Sequence, residues 1–174
     1  MAPGWLCTSR AACRGAAISR KPAAVTDIPN YRGRSASRLA AVQALYQLEM
    51  RGDAVPKLLT EFHQHRLGQE IEGAEYLTAD EPFFDDVVAG VAARQAELDQ
   101  LIAAGLAQGW SLGRLDRPMR ALLRAAVYEL VARADVPAAT VINEYVDVAH
   151  AFHDTKEAMF VNGLLDTVAR RVRG

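Results

Sequence analysis

The chain has 174 residues, about half of them apolar, and it carries 20 Lys and Arg against 21 Asp and Glu. This size and composition predict a single globular domain with a substantial hydrophobic core. A net charge near zero argues against a protein that coats nucleic acid indiscriminately.

The charges are unevenly distributed along the chain. Residues 1 to 51 hold eight Lys and Arg against two acids, whereas residues 52 to 110 hold three against eleven. Residues 111 to 174 hold nine against eight and are therefore nearly balanced. A basic front end precedes an acidic middle, and this distribution says more about partners than the total charge does.

The first 31 residues are rich in Ala, Arg and Ser and predict a poorly ordered N-terminal extension, so the folded domain is expected to span residues 32–174. Cys7 and Cys13 are the only cysteines, which argues against a disulfide scaffold and favours the reducing cytoplasm. Charged residues interrupt the longest apolar runs, so no membrane span and no membrane partner are expected.

Residues 32–50 combine a basic lead-in with a helical apolar pattern. The predicted apolar stripe comprises Leu39, Val42, Leu45 and Tyr46. Arg34 and Arg38 fall close to the line of Leu45, so we expect the first turns to extend beyond the core and to face solvent. Such arginines suit phosphates, but a solvated helix end has the same pattern, and the residues alone leave both interpretations open.

Local signals predict where the following helices begin. The signals comprise Gly52-Asp53, Asp80-Glu81-Pro82, Asp116-Arg117-Pro118 and Thr155. Each supplies a capping side chain, and two of them add Pro in the first turn. Gly105 and Gly109 are suitable stop signals, and residues 67–79 are expected to form a surface connection.

No period-2 pattern predicts a strand. The sequence therefore predicts an all-α compact bundle of about six or seven helices.

Residues 109–113 match G-x-S-x-G, the turn that presents a serine nucleophile in hydrolases. That chemistry needs a strand before the serine, whereas a helix is predicted before Ser111. We therefore expect no catalytic role for Ser111, and we expect Trp110 and Leu115 to pin a helix connection to the core.

Asp147, His150 and Asp154 share one predicted helix face, but no fourth ligand accompanies them. A solvated polar face is the more common explanation of such a pattern. No glycine-rich phosphate loop is present either. The sequence thus predicts a protein that is not an enzyme and binds no metal or other cofactor.

Residues 160–166 (FVNGLLD) place Asn162 and Gly163 inside an apolar helical run, where both reduce helix propensity. Close helix packing with a buried amide is one explanation. The other is a surface for an unpaired base with Phe160 as its platform.

Five stretches in a fixed order together resemble the NusB family of bacterial transcription antitermination factors. The stretches are residues 34–46 (RSASRLAAVQALY), 115–130 (LDRPMRALLRAAVYEL), 135–137 (DVP), 142–144 (INE) and 160–166 (FVNGLLD). The resemblance covers about residues 32 to 170 and implies an all-helical fold of two packed helical subdomains without catalytic activity.

The resemblance also implies binding to the single-stranded boxA element of ribosomal RNA transcripts, together with NusE, a small-subunit ribosomal protein. It further implies a place in the transcription elongation complex with other Nus factors. Carried over position by position, it assigns RNA contacts to Arg32, Arg34, Arg38, Gln43, Tyr46 and Phe160. Lys156, which is not carried over from the family pattern, is expected to add a positive contact to RNA beside Phe160. It assigns NusE contacts to Arg120 and Arg124.

Two departures from the family pattern concern charge. Ser35, Ala36 and Ser37 interrupt the basic lead-in, and Lys156 stands where some relatives have an acid. Few phosphate contacts predict weak RNA binding alone and stronger binding beside NusE. A helical protein-interaction adaptor that does not touch RNA is the alternative, and whether the chain is a monomer or a homodimer is left open.

Overall fold

The computed structural model describes residues 31–67 and 79–174, with only the backbone described at residues 31 and 32. The predicted extension therefore lies outside the described residues except for Tyr31, and so does most of the predicted connection at 67–79. Within these ranges the chain forms six α-helices and no strand, which confirms the all-α prediction. The helices are α1 (Tyr31–Arg51), α2 (Val55–His65), α3 (Glu81–Gly105), α4 (Arg117–Ala132), α5 (Ala138–Phe152) and α6 (Thr155–Arg173).

Two of the predicted helix starts are formed as the local signals indicate. The Asp80 carboxylate accepts a hydrogen bond of 3.0 Å from the backbone N–H of Phe83, and Asp116 accepts one of the same length from Met119. Both helices also carry Pro in the first turn. Each carboxylate satisfies a backbone donor that the helix itself leaves unpaired.

The other two predicted caps are wrong. Asp53 does not cap α2, which follows Ala54, and its carboxylate instead lies 2.9 Å from Lys57 Nζ. Asp154, not Thr155, caps α6 and forms a capping box with Glu157. An acid one residue before a threonine offers the stronger acceptor, so the helix starts with the acid.

α4 lies at the centre of the bundle and packs against α1, α3, α5 and α6. Met119 and residues 121–130 of this helix are buried. α1 and α4 run antiparallel, because Glu49 near the end of α1 pairs with Arg120, whereas Arg38 pairs with Glu129. The halves α1–α3 and α4–α6 share one continuous hydrophobic core.

The far end of the chain closes the C-terminus of α4. The Arg173 guanidinium donates hydrogen bonds to the backbone carbonyls of Glu129, Leu130, Arg133 and Val136. The last carbonyls of a helix lack partners within the helix, so a cation there satisfies them and also favours the negative end of the helix dipole.

A buried charge cluster joins α1, α4 and α5. Arg38 Nε and Nη2 donate to the two carboxylate oxygens of Glu129 at 3.0 and 2.6 Å, and Nη1 donates to Glu144 Oε2 at 2.9 Å. Ser35 Oγ donates to the same Glu144 oxygen at 2.6 Å. The Arg38 side chain is 1% exposed and that of Glu129 is 0% exposed. We call Arg38, Glu129 and Glu144 the buried cluster.

Charge pairing keeps the buried Arg38 guanidinium ionised. Burial on its own would lower the pKa of Arg38, but the hydrogen bond and negative charge of Glu129 outweigh it and raise that pKa. Burial, together with the charge of Glu129, raises the pKa of the neighbouring Tyr145 phenol well above its usual value. The phenol therefore stays neutral beside the paired charges.

The exposed face of α6 differs from prediction. Met159 falls on the apolar stripe that helical spacing predicts for α6, but it is 70% exposed. Asn162 and Gly163 are also exposed, and a Cβ atom on Gly163 would meet nothing within 4 Å. The prediction of close helix packing and a buried amide at these two residues is therefore wrong.

Gly90 in α3 is required by packing. A Cβ atom there would collide with the ring of Tyr128, which is 6% exposed and donates a 3.0 Å hydrogen bond to Asp86. α3 and α4 can therefore approach closely only at a residue without a side chain.

None of the helices in the described ranges has both the length and the apolar composition that a membrane-spanning helix needs.

We expect Arg38→Ala to lower the free energy of unfolding by about 3–5 kcal/mol, because it leaves two buried carboxylates uncompensated. Arg34→Ala serves as the control and should cost less than about 1 kcal/mol, since Arg34 is a partly exposed ion-pair residue. Urea denaturation followed by circular dichroism measures both. Similar costs for the two variants would contradict the structural role of the buried cluster.

Gly90→Ala should lower the free energy of unfolding by about 1–3 kcal/mol, because the new methyl group displaces the Tyr128 ring. Gly163→Ala is the matched variant at an open helical glycine and should raise it by up to about 1 kcal/mol. Thermal unfolding of both proteins would reveal opposite shifts. A destabilised Gly163→Ala protein would mean that a contact covers this site.

Candidate nucleic-acid interface

Arg34 and Arg38 at the start of α1 do not form the exposed arm that the sequence predicts. Arg38 belongs to the buried cluster, so the prediction that it faces solvent is wrong, and it is not available to a phosphate. The acidic partners of Arg38 lie about a hundred residues away in the chain, so the sequence around Arg38 did not show that its charge could be buried. The acid Glu129 within the apolar run of residues 121–131 was the sign in the sequence that a buried charge needed a partner.

Arg34 is held at the surface by acids. Its Nε lies 3.4 Å from Asp80 Oδ2, its Nη1 lies 3.9 Å from Asp135 Oδ2, and its side chain is 25% exposed. Its guanidinium carbon also lies 5.3 Å from the centre of the Phe83 ring. The two acids partly neutralise Arg34, and only a quarter of its side chain is exposed to a ligand. The side chain of Arg32 lies outside what the structure describes.

A cavity of about 530 Å³ lies beside the C-terminal half of α1, and we call it the α1 cavity. Gln43 and Tyr46 both line it, and Tyr46 is 38% exposed. Tyr46 therefore lies at the edge of the core with its ring accessible. Arg51, Arg66, Pro118 and Phe152 line the same cavity.

Arg51 and Arg66 are contributions to the α1 cavity that sequence reasoning missed. The Arg51 side chain is 58% exposed, with Nη1 3.6 Å from Glu61 Oε2. The Arg66 guanidinium lies 5.1 Å from the centre of the Phe62 ring. Arg51 ends α1, and Arg66 directly follows α2. Neither lies in a run of basic residues, so the sequence did not indicate a basic surface there.

A second cavity, of about 410 Å³, lies beside the start of α6, and we call it the α6 cavity. It is lined by Trp110, Arg114, Asp116, Met119, Lys156 and Phe160. Lys156 is exposed, and Phe160 is partly buried. The structure therefore brings together the two C-terminal residues that the sequence assigned to RNA.

Trp110 does not pin a connection to the core as predicted. It is 55% exposed, whereas Leu115 is 8% exposed and does contribute to the core. The centres of the Trp110 and Phe160 rings are 5.9 Å apart, with a 31° angle between their planes. Ser111 is also exposed, and it precedes a 3-10 helix at Leu112–Arg114 without the strand that a hydrolase serine requires.

The first turn of α4 separates the two cavities. Pro118 lines the α1 cavity, while Asp116 and Met119 line the α6 cavity. Neighbouring residues of this one turn thus line the cavity of Gln43 and Tyr46 and the cavity of Lys156 and Phe160. Arg34 is twelve residues before Tyr46 in α1, or about 18 Å along the axis.

Arg120 and Arg124 of α4 bind acids from neighbouring helices. Arg120 pairs with Glu49 and is 17% exposed, and Arg124 is 11% exposed. Arg124 Nε lies 2.7 Å from Asp99 Oδ1, and its Nη1 lies 2.9 Å from Glu49 Oε2. The predicted role of these arginines in binding a protein partner remains a prediction.

The polar residues considered as metal ligands are dispersed. Asp154 caps α6, and Asp147 and His150 are exposed on α5. Within residues 31–67 and 79–174, no group of three His, Cys, Asp or Glu side chains is placed to hold a metal ion. The side chains that line the two cavities are aromatic, apolar, amide and basic, with two acids, Asp116 and Glu157, at the α6 cavity.

Comparison with known proteins identifies the family. The sequence profile of the NusB family matches residues 35–170. The transcription antitermination protein NusB of Novosphingobium aromaticivorans is 63% identical over 142 residues, which are 82% of this chain and 96% of the relative. That of Sphingopyxis alaskensis is 61% identical over 140 residues, which are 80% of this chain and 94% of the relative.

A solved structure shares the fold. It is a chain of the crystal structure of the antitermination factors NusB and NusE in complex with double-stranded RNA. The TM-score is 0.66 at 24% identity, and the match covers 80% of this chain and 98% of the other. The resemblance predicted from five sequence stretches is confirmed: the chain belongs to the NusB family.

Proposed function

We propose that the chain is a transcription antitermination factor that binds boxA RNA of ribosomal RNA transcripts together with NusE and so supports ribosomal RNA synthesis. It acts in the cytoplasm by binding and not by catalysis. The observation that carries this proposal is the pair of cavities around the first turn of α4, in a chain of the NusB family.

The residues of the two cavities suit single-stranded RNA. Unpaired bases stack on aromatic side chains and form hydrogen bonds through their edges, and exposed cations bind the backbone phosphates. Tyr46 and Phe160 supply rings, Gln43 supplies an amide, and Lys156 supplies a charge. Arg51 and Arg66 extend this positive charge along the α1 cavity.

The cations of this surface are few, and Arg51 is partly neutralised by the nearby Glu61. Arg34 lines neither cavity and contacts two acids. A small number of phosphate contacts gives a modest electrostatic contribution to RNA affinity. Binding beside NusE therefore adds a second interface that increases the affinity of the assembled complex.

We place the NusE contacts on α4, where Arg120 retains exposed surface. Arg124 is more deeply buried and would act by orienting Glu49. The elongation complex with other Nus factors is the setting that the family implies for this assembly. A helical adaptor that binds protein without RNA is the competing function, and it predicts no salt-dependent RNA binding.

The salt dependence of boxA RNA binding, with NusE present, tests the proposal most directly. For about three phosphate contacts we expect the logarithm of affinity to fall with a slope near −2 against the logarithm of salt concentration. An RNA of equal length without boxA is the control for sequence preference. Stable NusE binding without RNA affinity at any salt concentration would favour the adaptor.

The double variant Arg51→Glu with Lys156→Glu places one negative charge at each cavity. It should reduce RNA affinity about tenfold or more, because like charges then face the phosphates. Lys57→Glu is the matched control, since Lys57 is 71% exposed but does not line either cavity. Fluorescence anisotropy with labelled RNA measures both, and equal affinities would exclude this surface.

A further inference from the structure

Trp110 is held in an exposed position by the chain around it. Gly109 adopts φ of 88°, which favours glycine, and its carbonyl accepts a 3.1 Å hydrogen bond from Arg114 Nη1. The Trp110 backbone N–H donates to the Ala107 carbonyl at 3.0 Å. The indole is therefore presented by a fixed turn.

A single exposed aromatic residue is common on protein surfaces and needs no functional explanation. Trp110 differs because it lies beside a second ring, that of Phe160, at the mouth of the α6 cavity. The two rings together form an apolar surface that the core does not cover. The cavity volume of about 410 Å³ falls in the range of small-ligand sites.

The charges around the two rings favour a phosphate-bearing ligand. The acids of the cavity, Asp116 and Glu157, are engaged in capping α4 and α6. Lys156 is exposed and forms no ion pair within the part of the chain that the structure describes. Arg114 is also exposed and bonds only a backbone carbonyl there. The cations are therefore more available to a ligand than the acids are.

We propose that Trp110 and Phe160 form a two-ring platform on which an unpaired RNA base stacks, with Arg114 and Lys156 beside it for the adjoining phosphates. This inference rests on the proposed function and extends it to Trp110 and Arg114. An RNA base is favoured over a protein side chain because two adjacent aromatic rings are flanked by cations. This combination is typical of single-strand binding.

Trp110 can report on its own occupancy. The chain contains two tryptophans, so Trp5→Phe leaves Trp110 as the single indole of the full-length protein. Titration of this protein with boxA-containing single-stranded RNA, with NusE lacking tryptophan or subtracted as a blank, should quench the Trp110 fluorescence. The quenching should saturate at the RNA concentration that saturates anisotropy.

Substitutions test whether stacking contributes to affinity. Trp110→Ala should weaken RNA binding about 5- to 100-fold, and Trp110→Phe should restore most of the loss because a ring is retained. Met159→Ala is the control. It removes an exposed apolar side chain of α6 that does not line the cavity, and it should leave RNA affinity unchanged. Thermal unfolding of each variant verifies its fold.

The outcomes separate this inference from the proposed function. Salt-dependent RNA binding of the unsubstituted protein with unchanged affinity in Trp110→Ala would overturn the platform and leave the proposed function intact. Absence of RNA binding by the unsubstituted protein would overturn both. Weaker NusE binding by Trp110→Ala without RNA, together with unquenched fluorescence, would assign the platform to a protein partner and overturn this inference.

Discussion

The ion pairs of Arg38 with Glu129 and Glu144 determine how the helices of this protein are arranged. One guanidinium joins α1, α4 and α5 within a core that is largely apolar. Because a buried charge without its partner is unfavourable, α1 can take only the rotation that brings Arg38 to both carboxylates. That rotation leaves Tyr46, two turns further along, at the edge of the core and accessible to a ligand.

The antiparallel order of α1 and α4 explains where the two cavities lie. The end of α1 meets the start of α4, and the ends of α2 and α5 and the start of α6 contribute to the same two cavities. The buried cluster occupies the other end of α1. The buried cluster and the proposed binding surface are therefore separated along this helix, although both belong to one continuous stretch of the sequence, residues 32–50.

Local chemistry decided which parts of the fold could be predicted from sequence. The carboxylates of Asp80 and Asp116 each bond a backbone N–H three residues later, so these helix starts could be predicted from the local sequence. Arg38 was misplaced because its partners are distant in sequence, and Arg51 and Arg66 were missed because the fold alone brings them together. The role of Phe160 as a platform for a base was predicted from residues 160–166 and from the family pattern. The exposed Trp110 ring beside it could be recognised only in the folded structure.

The first turn of α4 forms a wall of both cavities, and this has a consequence for RNA length. Asp116 caps the turn through a hydrogen bond and the Pro118 ring restricts its backbone, so the wall between the cavities is rigid. An RNA strand that occupied both cavities would have to cross this turn. For such a strand, the width of the turn would set the spacing between the two nucleotides in the cavities, whatever their bases.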